Sequence, residues 1–272
     1  YTFSVNRFGS VYTLDDRTAE LLESYYMNEP ADLVIRETNP DRLDDRWIIC
    51  MKNGEMYTLE EGVHYTVNMS GGAGSWWVYE YTIRRENFTE DGIYTLTLYS
   101  EDGASNVSSN QAKGMDMEFV VDTMPPGIVV TGITDRGQYT RDTQNITVDA
   151  QDNIYLAALK LEVLDGDGSV LEEKEYTEEE LAENDGVVSY ELASRSVWQT
   201  VRVTATDAAG NQAVSEDITV LINPSRLLQY YMNKPLFYGS LALLLLLALL
   251  IGCSVSRRRK QAGVQHVLDI DK

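Results

Sequence analysis

Apolar and polar residues alternate with a period of two along most of the chain. A first series of such runs covers residues 2–5, 10–14, 33–36, 47–52, 65–69, 76–83, 94–99 and 117–121. A second series follows Pro125-Pro126, at residues 128–131, 145–150, 156–164, 170–175, 187–192, 201–206 and 218–222. Successive side chains of a strand point to opposite faces, so most of these runs predict strands with one buried face. The turn residues between them recur at the spacing of a β-sandwich. Two stretches depart from this period. Asp15 and Asp16 lead Leu21, Leu22, Tyr25 and Tyr26 at helical spacing, which predicts a helical insert in a crossover loop. Thr177 and Glu180 form a capping box that opens a helix of one to two turns before Asn184-Asp185-Gly186.

Residues 236–255 follow neither period and carry no charge. At about 1.5 Å per residue they make a helix of roughly 30 Å, the thickness of a bilayer hydrocarbon core. A buried core helix keeps a polar stripe, and residues 241–251 have none. A signal peptide places its basic residues in front of the apolar run, whereas Arg257, Arg258, Arg259 and Lys260 follow this one. Leu250-Ile251-Gly252-Cys253 matches a bacterial lipoprotein box, but processing there would discard the folded part. The basic cluster outweighs Arg226 and Lys234 on the other side, so the expected location is a single-pass cell membrane protein with a cytoplasmic C-terminus. The bilayer is the first expected partner, through residues 236–255. Phe237 and Tyr238 complete an aromatic belt begun by Tyr230 and Tyr231.

The architecture expected is all-β: two tandem immunoglobulin-like β-sandwich domains followed by one transmembrane α-helix. The domains span residues 1–122, with the helical insert, and 123–223; a juxtamembrane segment (224–235), the helix (236–255) and a basic cytoplasmic tail (256–272) follow. The length prior agrees, since about 235 outer residues suit two domains of roughly 100 each. Residues 94–106 and 199–211 are copies of one plan, a strand followed by Asp102 to Asn106 or Asp207 to Asn211 and then a final apolar strand. Asp102 and Asp207 suit Asx turns, and Asn106, Asn211 and Gly210 tolerate left-handed dihedrals. Tyr94, two residues after Gly92 and two before Leu96, has the spacing of a tyrosine corner, and Trp198 is expected to fill the matching end of the second core.

Charge narrows the functional classes. The chain has 22 basic and 43 acidic residues and a net charge of −21. Five of the basic residues and only Asp269 and Asp271 of the acids lie in the tail, which leaves 17 basic and 41 acidic residues outside. Such a surface repels nucleic acid. Cys50 and Cys253 fall on opposite sides of the membrane and cannot pair, so the sandwiches must rely on their cores, a habit of bacterial surface domains. Four Asn-x-Ser/Thr sequons, at Asn68, Asn87, Asn106 and Asn145, would carry glycans only in a eukaryote. An exported chain that starts at Tyr1 without a signal is expected to be the C-terminal piece of a longer one.

Candidate chemistry is sparse. Asp122, Asp149, Asp152, Asn153 and Asp207 sit at strand ends or the junction, and gathered at one pole they would offer the oxygen ligands that calcium prefers. The competing reading is that each satisfies its own turn. Asp165 to Gly168 is a hairpin turn, His64 a lone ring and Cys50 a buried thiol. No phosphate loop or triad spacing occurs, and neither a catalytic site nor a cofactor is expected; calcium is a candidate only. Trp76, Trp77 and Tyr79 beside Gly71 to Gly74 are the candidates for stacking on an extracellular glycan or protein partner, although alternation must bury one of the two tryptophans.

Residues 128–222 carry Pro125-Pro126 in front, Asp152-Asn153 after a strand and Val203-Thr204-Ala205-Thr206-Asp207-Ala208-Ala209-Gly210-Asn211 near their end. They resemble the bacterial immunoglobulin-like repeats that stack in large surface proteins of Gram-positive cells, and residues 1–122 resemble a diverged, membrane-proximal repeat. The resemblance implies a spacer or stalk that presents an N-terminal region, and, without a Leu-Pro-x-Thr-Gly sorting signal, one held in the membrane. It is also compatible with an adhesion module or the accessory end of a large surface hydrolase.

Overall fold

Two pairs of sheets account for the alternation in this computed structural model, which describes residues 7–72 and 74–270. The strand expected at residues 2–5 lies outside the described residues. In the first pair, Val11–Leu14, Leu33–Asn39, Ser75–Ile83 and Tyr65–Gly72 form an antiparallel sheet in that spatial order. The opposing sheet runs Tyr26–Met27, Glu118–Val121, Gly92–Asp102, Leu43–Lys52, Glu55–Leu59. The second pair repeats this order one strand short, with Gly127–Thr131, Thr143–Gln151 and Val187–Ala193 in one sheet. Its partner sheet runs Gly137–Tyr139, Ile218–Ile222, Gln199–Asp207, Leu156–Leu164, Val170–Tyr176.

In both pairs the first strand changes sheets. Val11–Leu14 pairs in one sheet and Tyr26–Met27 runs parallel to the last strand in the other; Gly127–Thr131 and Gly137–Tyr139 do the same. That switch, with the antiparallel remainder, defines an immunoglobulin-like β-sandwich. The helical insert occupies the first switch. It spans Asp16–Ser24, capped by the Asp15 carboxylate accepting from the Thr18 N–H. Tyr25 and Tyr26 lie beyond it, because Tyr25 turns to φ 64° and Tyr26 opens the next strand. The helix Glu178–Glu183 carries the full capping box and follows Val170–Tyr176 along the chain, as Tyr65–Gly72 follows Glu55–Leu59 in the first sandwich.

The cores differ in character. The first packs Phe88, Tyr94 and Phe119 ring to ring at 5.1 to 5.6 Å, whereas the second is aliphatic, built from Val, Leu, Ile and Ala. The tyrosine corner is present: the Tyr94 hydroxyl donates to the Glu90 carbonyl at 2.7 Å, and Leu96 is buried beneath it. Trp198 departs from expectation. It is half-exposed at the pole beside Met232 to Pro235, 6.0 Å from the Arg136 guanidinium, and the buried neighbour Gln199 donates to the Ala193 carbonyl instead. In a strand an indole and its neighbour cannot both face inward, and Gln199 takes the inward place.

The repeated hairpins also match. Asp102 Oδ1 accepts from Asn106 N–H at 3.0 Å, and Asp207 Oδ1 from Asn211 N–H at 2.8 Å. The left-handed positions are Ser105 and Gly210, one residue before each asparagine. Each final strand is split, with Val107–Ser109 and Gln212–Val214 pairing one half of the preceding strand and Glu118–Val121 and Ile218–Ile222 the other.

Beyond Ile222, Ser225 caps a short helix, Arg226–Met232. Gln229 docks it onto the second sandwich: its Oε1 accepts from Thr140 Oγ1, and its Nε2 donates to the Asn223 carbonyl at 2.7 Å. Tyr230, Tyr231 and Tyr238 surround Phe237 at 5.3 to 5.8 Å. One helix then runs from Lys234 to Ile270, continuing through the tail. Its Lys234–Arg258 stretch is long and apolar enough to cross a membrane, and among the described residues nothing buries its apolar window.

Candidate interdomain acidic site

The last strand of the first sandwich delivers Asp122 to one pole, where Asp91 also stands because Gly92 pairs with Val121. The second sandwich presents the end of Thr143–Gln151, followed by Asp152 and Asn153, and the end of Gln199–Asp207. Pro125 and Pro126 keep the link between these poles short. Asp122, Asp152 and Asp207 therefore converge, each offering one carboxylate oxygen within 4.8 Å of the others.

Among the described residues, two side-chain hydrogen bonds cross the junction. Asn211 Nδ2 donates to the Asp122 carbonyl at 2.8 Å, and Asn153 Nδ2 donates to Asp91 Oδ2 at 3.0 Å. Asp91 Oδ1 accepts from both the N–H and the hydroxyl of Thr123, which fixes the first residue of the link. The turns use part of each converging carboxylate. Asp152 Oδ2 accepts from the Ile154 and Tyr155 N–H groups, and Asp207 binds Asn211 through both oxygens. Asp122 Oδ1 accepts from Met124 N–H at 3.3 Å. That leaves Asp122 Oδ2 and Asp152 Oδ1, both buried and without a hydrogen-bond partner. Burial, followed by the charges of Asp152, Asp207 and Asp91, pushes the Asp122 carboxyl up to about 6. Among the described residues, no lysine or arginine pairs with any of the four acids.

The other residues singled out in the sequence separate. Asp149 stays on its strand and accepts from Gln151 Nε2 at 2.8 Å, apart from the cluster. Asn153 serves Asp91. Asp91 itself went unnoticed in the sequence, though it sits in the turn before the tyrosine corner, at the pole where the first sandwich ends. Of the aromatic candidates, Trp76 is 48% exposed and Trp77 packs against the core. Tyr79 is not accessible to a ligand: it is fully buried, and its hydroxyl accepts from the Leu43 N–H at 2.9 Å. Alternation inward from Ile83 through Tyr81 to Tyr79 requires that placement.

A second polar group lies inside the first sandwich. Glu37 is fully buried, with Tyr81 donating to Oε2 at 2.7 Å and Ser100 to Oε1. Tyr12 joins through Ser100 at 3.1 Å. Burial, with Glu37 nearby, raises both tyrosines well above the usual phenol value, so both stay protonated. His64 accepts from Glu60 N–H through Nδ1, and the Cys50 thiol is buried against the Tyr57 hydroxyl. Burial also pushes that thiol up, away from the thiolate.

No protein-family model matches the chain, and no curated protein matches it. Solved structures do. The fibronectin(III)-like modules of CbhA from Clostridium thermocellum are 12% identical over 78% of this chain and 94% of theirs, with a TM-score of 0.33. Dimeric latent PorU from Porphyromonas gingivalis is 13% identical over 79% of this chain, which spans 20% of the PorU chain, at 0.29. A marsupial T cell receptor is 8% identical over 79% of this chain and 73% of its own, at 0.45. Likeness at this level carries no argument, and the sheets described above carry the immunoglobulin-like assignment by themselves.

Proposed function

We propose that this chain is a non-catalytic, membrane-anchored spacer at a cell surface, of the bacterial immunoglobulin-like kind, which holds an N-terminal region away from the bilayer. The observation that carries the reading is the uncovered apolar helix leaving the second sandwich through a helix docked by Gln229. Leucines in an unshielded stretch of that length need lipid. The cluster Arg257 to Lys260 favours the cytoplasm for the end that follows, and the acidic sandwiches then face outward. Direct adhesion through an aromatic platform has little support, since only Trp76 of the three candidate rings is well exposed.

The test is topological. In a Cys253→Ser background expressed in bacterial cells, Val170→Cys should label with a membrane-impermeant maleimide on intact cells, and Gln265→Cys only after lysis. Ending the chain at Asn223 should release the sandwiches from the membrane fraction. Labelling of Gln265→Cys on intact cells, or full-length chain in the soluble fraction, would overturn the proposal.

A further inference from the structure

We infer that the pole-to-pole junction is a calcium site, in which Asp122 of the first sandwich and Asp152 and Asp207 of the second coordinate one ion that fastens the two together. Two carboxylate oxygens at the junction are left over. Turn formation uses one oxygen of Asp122 and one of Asp152, and leaves Asp122 Oδ2 and Asp152 Oδ1 buried without a partner. Asp122 is 0% exposed. A buried, unpartnered carboxylate oxygen is costly, and costlier beside two like charges. Local turn chemistry accounts for none of that arrangement; a cation at the common point relieves all of it.

The donor set selects the ion. Three carboxylates with oxygens inside 4.8 Å of one another fit a hard cation that binds oxygen at about 2.3–2.6 Å. No cysteine or histidine belongs to the group, which disfavours zinc. Water completes a calcium shell readily, whereas magnesium demands near-ideal octahedral geometry. Asp91 has a different part. It stands outside the group of converging oxygens and accepts from Thr123 and Asn153, so it positions the link and the Asp152 loop. Because the ligands come from both sandwiches, ion binding and alignment of the junction are the same event. The affinity expected is that of extracellular calcium modules, with Kd of about 10⁻⁴ to 10⁻³ M. This inference does not depend on membrane anchoring.

The test is a calorimetric titration of calcium into the full chain in nanodiscs of zwitterionic lipid, with circular dichroism to check folding. One saturable site per chain is expected, weakened at least tenfold by Asp122→Asn and by Asp152→Asn and unchanged by Asp149→Asn. Amide exchange across residues 122–127 and 152–156 should slow on calcium addition in the parent chain and not in either weakened variant. If Asp122→Asn fails to fold, Asp152→Asn, on a half-buried loop, decides the matter. The inference is overturned by absence of saturable binding up to about 10 mM, by equal weakening in Asp149→Asn, or by magnesium binding as tightly as calcium.

Discussion

Asp122→Asn has a consequence that needs no metal. In chelator, the Asp122 carboxyl is held up to about 6 by burial and by Asp152, Asp207 and Asp91, against roughly 3.9 in an unfolded chain. The raised value fixes the sign. The stability associated with the protonated group is fully present below about pH 3.9 and is lost as pH rises through 6, because the unfolded chain releases its proton first. Two pH units at about 1.4 kcal/mol each set an upper limit near 3 kcal/mol, and solvent screening at the junction lowers the expectation to about 1–3 kcal/mol. Asparagine keeps the oxygen that accepts from Met124 and replaces the other by a donor facing the Asp152 and Asp207 carboxylates. The assay is amide exchange at residues 122–127, read as local opening free energy between pH 4.5 and 7.5, because a chain of several units has no single melting point. The parent should lose that protection over this range in chelator, and Asp122→Asn should lose little and exceed the parent at pH 7.5. An unaltered pH slope in the variant, or a variant less protected than the parent at pH 7.5, would refute the reasoning.

Other substitutions test the rest of the structure. Tyr94→Phe removes the hydroxyl bound to the Glu90 carbonyl and should cost about 1–2 kcal/mol in chemical denaturation of the first sandwich. Tyr81→Phe leaves Glu37 Oε2 without its donor inside the core and should cost more, about 2–3 kcal/mol by the same measurement. Trp76→Ala should stay within about 0.5 kcal/mol of the parent, whereas Trp77→Ala should destabilise by at least about 1 kcal/mol through its packing on the core. Thr177→Ala breaks the capping box and should speed amide exchange in Glu178–Glu183 by an amount equivalent to about 1 kcal/mol.

Much of the fold is legible because one physical rule, a single buried face per strand, writes itself as alternation. Ile146, Val148 and Ala150 face inward in one strand and Val201, Val203 and Ala205 in another. Short edge strands such as Gly137–Tyr139 carry too few residues for that period to show. Trp198 misleads because bulk suggests burial, while strand phase gives the inward place to Gln199. The acidic site was half legible. Asp122, Asp152 and Asp207 are strand-end acids, and a shared pole follows from the repeat, yet Asp149 has the same credentials and belongs to its own strand. Asp91 was hidden because its importance comes from pairing between Gly92 and Val121, which only the register supplies. Glu37 was hidden for the opposite reason: an acid at an inward position looks like the end of a strand until Tyr81 and Ser100 are seen to satisfy it.

A spacer must hold its two sandwiches in one relation, and the most direct measurement is the distance across the junction. Spin labels at Met69→Cys and Val170→Cys, both at exposed positions, in a Cys253→Ser background would report it by pulsed electron resonance on the full chain in nanodiscs. One narrow distance distribution is expected in calcium, broadened by Asp122→Asn. A broad, multimodal distribution in saturating calcium would contradict it, and the sandwiches would then be independent units on a flexible string.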